Sequence, residues 1–87
     1  MYKLNIDNKL KKLFIKIKKK NRLLAEILKR KITEIIEDPY RFKPLTANMA
    51  GIRRVHIGKS FVLIYEILEK EKIVRLLDFN HHDKVYK

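Results

Sequence analysis

The three histidines of this chain all fall in its second half: His56 in a run of alternating apolar and polar residues, and His81-His82 in tandem near the end. Imidazole titrates near neutral pH and both takes and gives protons, so a histidine set among cations suits proton transfer at a phosphodiester. RNA carries its own nucleophile. Cleaving it without a metal takes three things: a base for the 2′-hydroxyl proton, cations to offset charge on the phosphate, and an acid for the departing 5′-oxygen. His56, His82, Lys43, Arg53, Arg54 and Tyr86 contain every group required, with His81 as a further phosphate-side candidate. Plainer roles stay open beside these: His56 as a solvated strand position, Tyr86 as a packing residue, and Asp78 and Asp83 as partners that orient basic side chains. Tandem histidines alternate faces when extended and no third ligand stands at a metal-binding spacing, so no metal and no cofactor are expected. The chain has no Gly-rich phosphate loop, no GxSxG turn and no paired-carboxylate signature, which leaves ATPase, serine hydrolase and glycosidase readings without support.

These side chains need a scaffold, and its centre is Arg53 to Ile67, RRVHIGKSFVLIYEI. Alternation puts Ile52, Arg54 and His56 on one strand face and Arg53, Val55 and Ile57 on the other. Gly58-Lys59-Ser60 supplies a turn, and Phe61 to Leu68, rich in β-branched and aromatic residues, predicts a central strand buried on both faces. Glu69 to Lys72 is a second turn, before a third strand from Ile73 to Asn80. Upstream, Tyr2 to Ile6 alternates as a short first strand, and Asp7 or Asn8 stands where a helix cap is wanted. Leu10, Leu13, Phe14 and Ile17 recur at helical spacing from Lys9 to about Lys19. Asn21 ends that helix or caps a second one, whose apolar stripe is Leu24, Ile27, Leu28, Ile32, Ile35 and Ile36 and which Asp38-Pro39 stops. Tyr40 to Ala50 reads as a loop carrying Lys43-Pro44-Leu45 toward the sheet. The order is β-α-α-β-β-β, an α+β fold in which a two-helix hairpin covers one face of a four-stranded, mainly antiparallel sheet. The other face is free, so polar and functional groups should gather there.

At 87 residues the chain is expected to form one domain over residues 1–87. It has no cysteine, which fits a reducing cytoplasm, and no apolar run of membrane-spanning length, so no membrane partner is expected. The net charge of +12 is uneven: residues 1–31 hold twelve basic side chains against Asp7 and Glu26 alone. A polycation of this kind attracts nucleic acid or an acidic protein segment, although lysines also serve simply to keep a small apolar domain in solution.

Several of these motifs, in this order, resemble the RelE/ParE superfamily of toxins from type II toxin-antitoxin systems. The likeness rests on the Lys43-Pro44-Leu45 loop, the Gly51…Arg53-Arg54-Val55-His56-Ile57-Gly58 strand, the FVLIYE run from Phe61 to Glu66, and the closing His81-His82-Asp83-Lys84-Val85-Tyr86. Within the superfamily the chain is most similar to the YafQ branch, which implies functional roles for His56, His82 and Tyr86. It departs from that branch at Lys43, where YafQ has histidine, and at Ser60, where it has aspartate. Val62 stands where RelE carries a functional arginine. The resemblance implies a RelE-like fold and an mRNA-cleaving toxin that acts on the ribosome and is silenced by a cognate antitoxin, with mRNA and ribosomal RNA as partners. Two other activities fit the same fold: a ParE-like inhibitor of DNA gyrase, and a degenerate domain that binds the ribosome or an antitoxin without cutting.

Overall fold

The computed structural model describes residues 1–46 and 51–82. Strand β1 (Lys3–Ile6) leads into helices α1 (Asn8–Lys20) and α2 (Arg22–Glu37), a short 3-10 turn (Pro39–Arg41), and strands β2 (Ile52–Ile57), β3 (Phe61–Leu68) and β4 (Ile73–His81). Each boundary has a local cause. The Asp7 carboxylate accepts the Leu10 N–H at 2.8 Å and starts α1. Asn21 serves both helices, donating its N–H to the Ile17 carbonyl at 2.8 Å and accepting the Leu24 N–H on its side chain at 3.1 Å. Asp38 closes α2 and caps the 3-10 turn through the Tyr40 N–H, so the stretch read as a plain loop begins with a turn.

The sheet order is β1-β4-β3-β2, with β1 parallel to β4 and the other pairs antiparallel. β3 lies inside the sheet, as its apolar composition requires. Leu10, Leu28 and Ile35 from the helices pack on Val55, Ile57, Leu63, Tyr65, Val74, Leu76 and Phe79 from the sheet. Each such aliphatic side chain, once buried, contributes roughly 1.5–3 kcal/mol. Tyr65 is fully buried and donates its hydroxyl to the Pro39 carbonyl at 2.7 Å, pinning the 3-10 turn to the central strand.

β4 does not keep strict alternation. Ile64 pairs with Asp78 but Tyr65 pairs with Leu76, which leaves Leu77 as the extra residue of a bulge. The bulge resets the pleat so that Val74, Leu76 and Phe79 all reach the helix-side core. On the uncovered face, Arg54 and His56 of β2 stand opposite Ile64 and Val62, and Asp78 and Asn80 flank the same two residues from β4. The centre of this face is therefore apolar and buried, not the free polar surface expected, with Val62 0% and Ile64 7% exposed. Among the described residues no helix is long and apolar enough to cross a membrane.

Candidate active site

Two elements bring His56 and His82 together. β2 places His56 opposite Val62, and β4 places Asn80 opposite the same residue from the far side. The chain then runs on past His81, where the His82 N–H donates to the Ser60 carbonyl at 2.7 Å. Ser60 belongs to the β2–β3 turn, which Gly58 makes possible with its left-handed φ of 64°. The two imidazoles end up stacked, with ring centroids 5.5 Å apart and planes 25° from parallel. They border an open cleft of about 310 Å³ whose other lining residues are Lys59, Ser60 and His81.

Lys59 carries a cation in this cleft that the sequence reading passed over. Its signal was positional: it is three residues after His56, in a glycine turn that must fold back beside that strand's end. His81 comes to the cleft from the other face of the sheet. It pairs with Phe61, and its ring lies 5.0 Å from the Phe61 ring, which stacks on Phe79. An aromatic row thus runs from Phe14 of α1, edge-on to Phe79, to the rim of the cleft.

The two arginines of β2 separate. Arg54 shares the face of His56, and its guanidinium donates to the Pro44 and Leu45 carbonyls, both at 3.2 Å. Its N–H donates to the Lys43 carbonyl at 3.1 Å, so the Lys43-Pro44-Leu45 segment runs along the edge of β2 with Lys43 exposed. Arg53 points to the opposite, helix-side face. There its guanidinium donates to the Phe42 carbonyl at 2.8 Å and lies over the Tyr40 ring, 5.2 Å from its centroid. The structure therefore does not bring Arg53 to the histidines; it ties down the segment that carries Lys43. Tyr86 and Asp83 lie outside the described residues. Among the described residues no group of three or more His, Cys, Asp or Glu side chains is arranged to hold a metal.

A second polar cluster sits at the far end of the sheet, in the β3–β4 turn. Glu69 pairs with Lys72 and accepts the hydroxyls of Tyr2 and Tyr40, each at 2.7 Å. Lys72, then Tyr2 and Tyr40, hold its carboxyl down to about 2. The cluster joins the N-terminus, the 3-10 turn and the last hairpin, well away from the cleft.

Chemically, two exposed imidazoles bordering one cleft, with a lysine beside them and an arginine two residues along the same strand face, can move protons on and off a group bound against their edges. A phosphodiester is such a group.

A family model described as the ParE toxin of the type II toxin-antitoxin system, parDE, matches residues 2–86. An uncharacterised protein of Methanosarcina mazei is 46% identical over 86 residues, covering 99% of this chain and all of its own length. A Methanocaldococcus jannaschii protein carrying the provisional toxin name RelE4 is 37% identical over 87 residues, covering all of this chain and 93% of its own. Among solved structures, YafQ from Escherichia coli superposes with a TM-score of 0.69 at 19% identity, over the full length of both chains. The E. coli RelBE toxin-antitoxin complex gives 0.69 at 20% identity, over 93% of this chain and 96% of the matched one. At these identities the structural likeness speaks to the fold.

Proposed function

Since the chain belongs to the ParE/RelE family of type II toxin-antitoxin toxins, we propose that it is an endoribonuclease that cuts messenger RNA on the ribosome in the cytoplasm, using His56 and His82 as its proton-transfer pair, and is held inactive by a cognate antitoxin. The observation that carries this reading is the stacked pair itself, 5.5 Å between ring centroids, beside Lys59 in an open cleft. One imidazole takes the proton from a ribose 2′-hydroxyl as that oxygen attacks the adjacent phosphorus. The bond from phosphorus to the 5′-oxygen breaks, and the other imidazole protonates the departing oxygen. The products are a 2′,3′-cyclic phosphate and a free 5′-hydroxyl, so each turnover moves one proton in and one out with no metal required. Lys59, Lys43 and Arg54 offset charge on the phosphate, and His81 borders the site. Tyr86 stacks on or orients a base. Arg53 serves from behind by holding the Lys43 segment. The lysine-rich helices draw the toxin to ribosomal RNA.

Inducing the wild type, His56→Ala and His82→Ala in a host without the antitoxin, then mapping message ends, tests the proposal. Cuts within reading frames that vanish in both variants are the expected result. Growth arrest with intact transcripts and broken DNA would replace the reading with gyrase poisoning, and binding to ribosomes or antitoxin with neither arrest nor cuts would replace it with a non-cleaving domain.

A further inference from the structure

The strand cut described above leaves the two imidazoles with their protonation states exchanged. The ring that served as base carries the 2′-hydroxyl proton, and the ring that served as acid has given its proton to the departing 5′-oxygen. A neutral imidazole then borders the position that the 5′-oxygen has vacated. That is where a general base for water must stand. The phosphate left in the cleft is a 2′,3′-cyclic ester, which water can open.

The cleft suits this second reaction. Both rings are exposed, so water reaches them once the 5′-hydroxyl strand departs. Their centroids lie 5.5 Å apart with planes 25° from parallel, which sets two ring edges side by side against one phosphorus. Both are held from the backbone: His56 sits in β2 opposite the fully buried Val62, and the His82 N–H donates to the Ser60 carbonyl at 2.7 Å. The described lining, Lys59, Ser60, His81 and the two histidines, contains a cation and no carboxylate, so an anionic ester is attracted and nothing there repels it.

The substrate also asks less of its surroundings. Cutting a strand requires the 2′-hydroxyl to be brought into line with the leaving oxygen, an alignment that a flexible single strand gives up entropy to hold. In the cyclic ester the 2′-oxygen is already bonded to phosphorus, so that part of the positioning is built into the molecule.

We propose that the His56/His82 cleft is also a 2′,3′-cyclic phosphodiesterase, acting without the ribosome on free ribonucleoside 2′,3′-cyclic phosphates and on the cyclic ends of cut RNA. The proposal rests on the histidine pair assigned in the ribonuclease reading. The imidazole that protonated the 5′-oxygen takes a proton from water as the water oxygen bonds to phosphorus. The bond from phosphorus to the 2′-oxygen breaks, and the other imidazole returns its proton to that oxygen. The product is a 3′-phosphate, and both rings regain their starting states. Because the proton is delivered at the 2′-oxygen, the ring opens to one isomer.

The purified full chain, incubated without ribosomes with adenosine 2′,3′-cyclic monophosphate in heavy-oxygen water, tests the proposal by chromatography and mass spectrometry. Adenosine 3′-monophosphate carrying one heavy oxygen on its phosphate should form at least a hundredfold faster than in protein-free buffer, without the 2′-isomer. His56→Ala and His82→Ala, checked for wild-type circular dichroism, should each fall to near the buffer rate. Lys59→Ala should weaken competitive inhibition by adenosine 3′-monophosphate about tenfold, the loss of one charge-assisted hydrogen bond. Message ends produced by the same preparation on programmed ribosomes are read in parallel. Cut messages whose ends stay cyclic, with free cyclic nucleotide untouched, would overturn the phosphodiesterase and leave the ribonuclease standing. Cyclic nucleotide opened at the wild-type rate by either histidine variant would overturn it as well, by placing the activity outside the cleft. Hydrolysis to the single isomer with messages left uncut would uphold the phosphodiesterase and remove the ribonuclease reading instead.

Discussion

Replacing Arg53 with alanine separates two roles that look alike in a sequence, a phosphate contact and a loop clasp. In the structure the guanidinium donates to the Phe42 carbonyl at 2.8 Å, reaches the Tyr40 carbonyl at 3.4 Å, and covers the Tyr40 ring at 5.2 Å. A hydrogen bond from a charged donor is worth roughly 1.5–3 kcal/mol. Because Arg53 is half-buried, the lower end applies to the Phe42 bond, and the long Tyr40 bond adds little. An exposed cation–π contact adds about 0.5–1 kcal/mol. The sum is about 2–3 kcal/mol, which for a domain of this size lowers Tm by on the order of 10–20 °C. Urea denaturation and calorimetry measure the loss, and message cleavage assayed well below the lowered Tm measures the chemistry. The clasp account expects a destabilised protein whose cleavage rate falls only modestly, because Arg54 still holds the Pro44 and Leu45 carbonyls next to Lys43. A stable Arg53→Ala protein with cleavage down a hundredfold would refute it.

Other perturbations follow from the same contacts. Tyr65→Phe leaves the buried Pro39 carbonyl without its 2.7 Å donor and should cost roughly 1–3 kcal/mol in urea melts, with cleavage unaffected. Gly58→Ala forces a left-handed φ of 64° on a residue with a side chain; it should cost about 1–2 kcal/mol and reduce cleavage as well, because the turn also carries Lys59 and the carbonyl that holds His82. Glu69 is ionised in the fold down to about 2, against an ordinary value of 4.5. Its stabilisation is therefore complete above the ordinary value and disappears as pH falls from there through about 2. Acid unfolding of Glu69→Gln should have a flatter limb across that window than the wild type, and an identical limb would remove the cluster from the account.

Much of the fold was legible because its local signals agree with its packing. The period of α2 delivers Leu28 and Ile35 to the core, Asn21 works as the cap its type suggests, and the alternation of β2 sends Val55 and Ile57 inward and His56 outward. β4 was harder to read in detail, because the bulge at Leu77 shifts its alternation by one residue and such a shift is written only in the pairing with β3. The site was legible by residue type and less so by direction. Arg53 and Arg54 are neighbours in sequence, so period two sends them to opposite faces, and only the loop carbonyls within their reach reveal what each one holds. Lys59 is marked in the sequence only by its place in the turn three residues after His56, and its role becomes visible once that turn is held against His82.

The central claim is that His56 and His82 act as one unit on one phosphate. Single-turnover cleavage of a mapped message on programmed ribosomes, compared for wild type, His56→Ala, His82→Ala and the double variant, tests it most directly. Each single substitution should slow cleavage by about 10²- to 10⁴-fold, and the double variant should be little worse than the slower single, as expected of groups that work together. Either single variant cleaving within threefold of wild type would contradict the account.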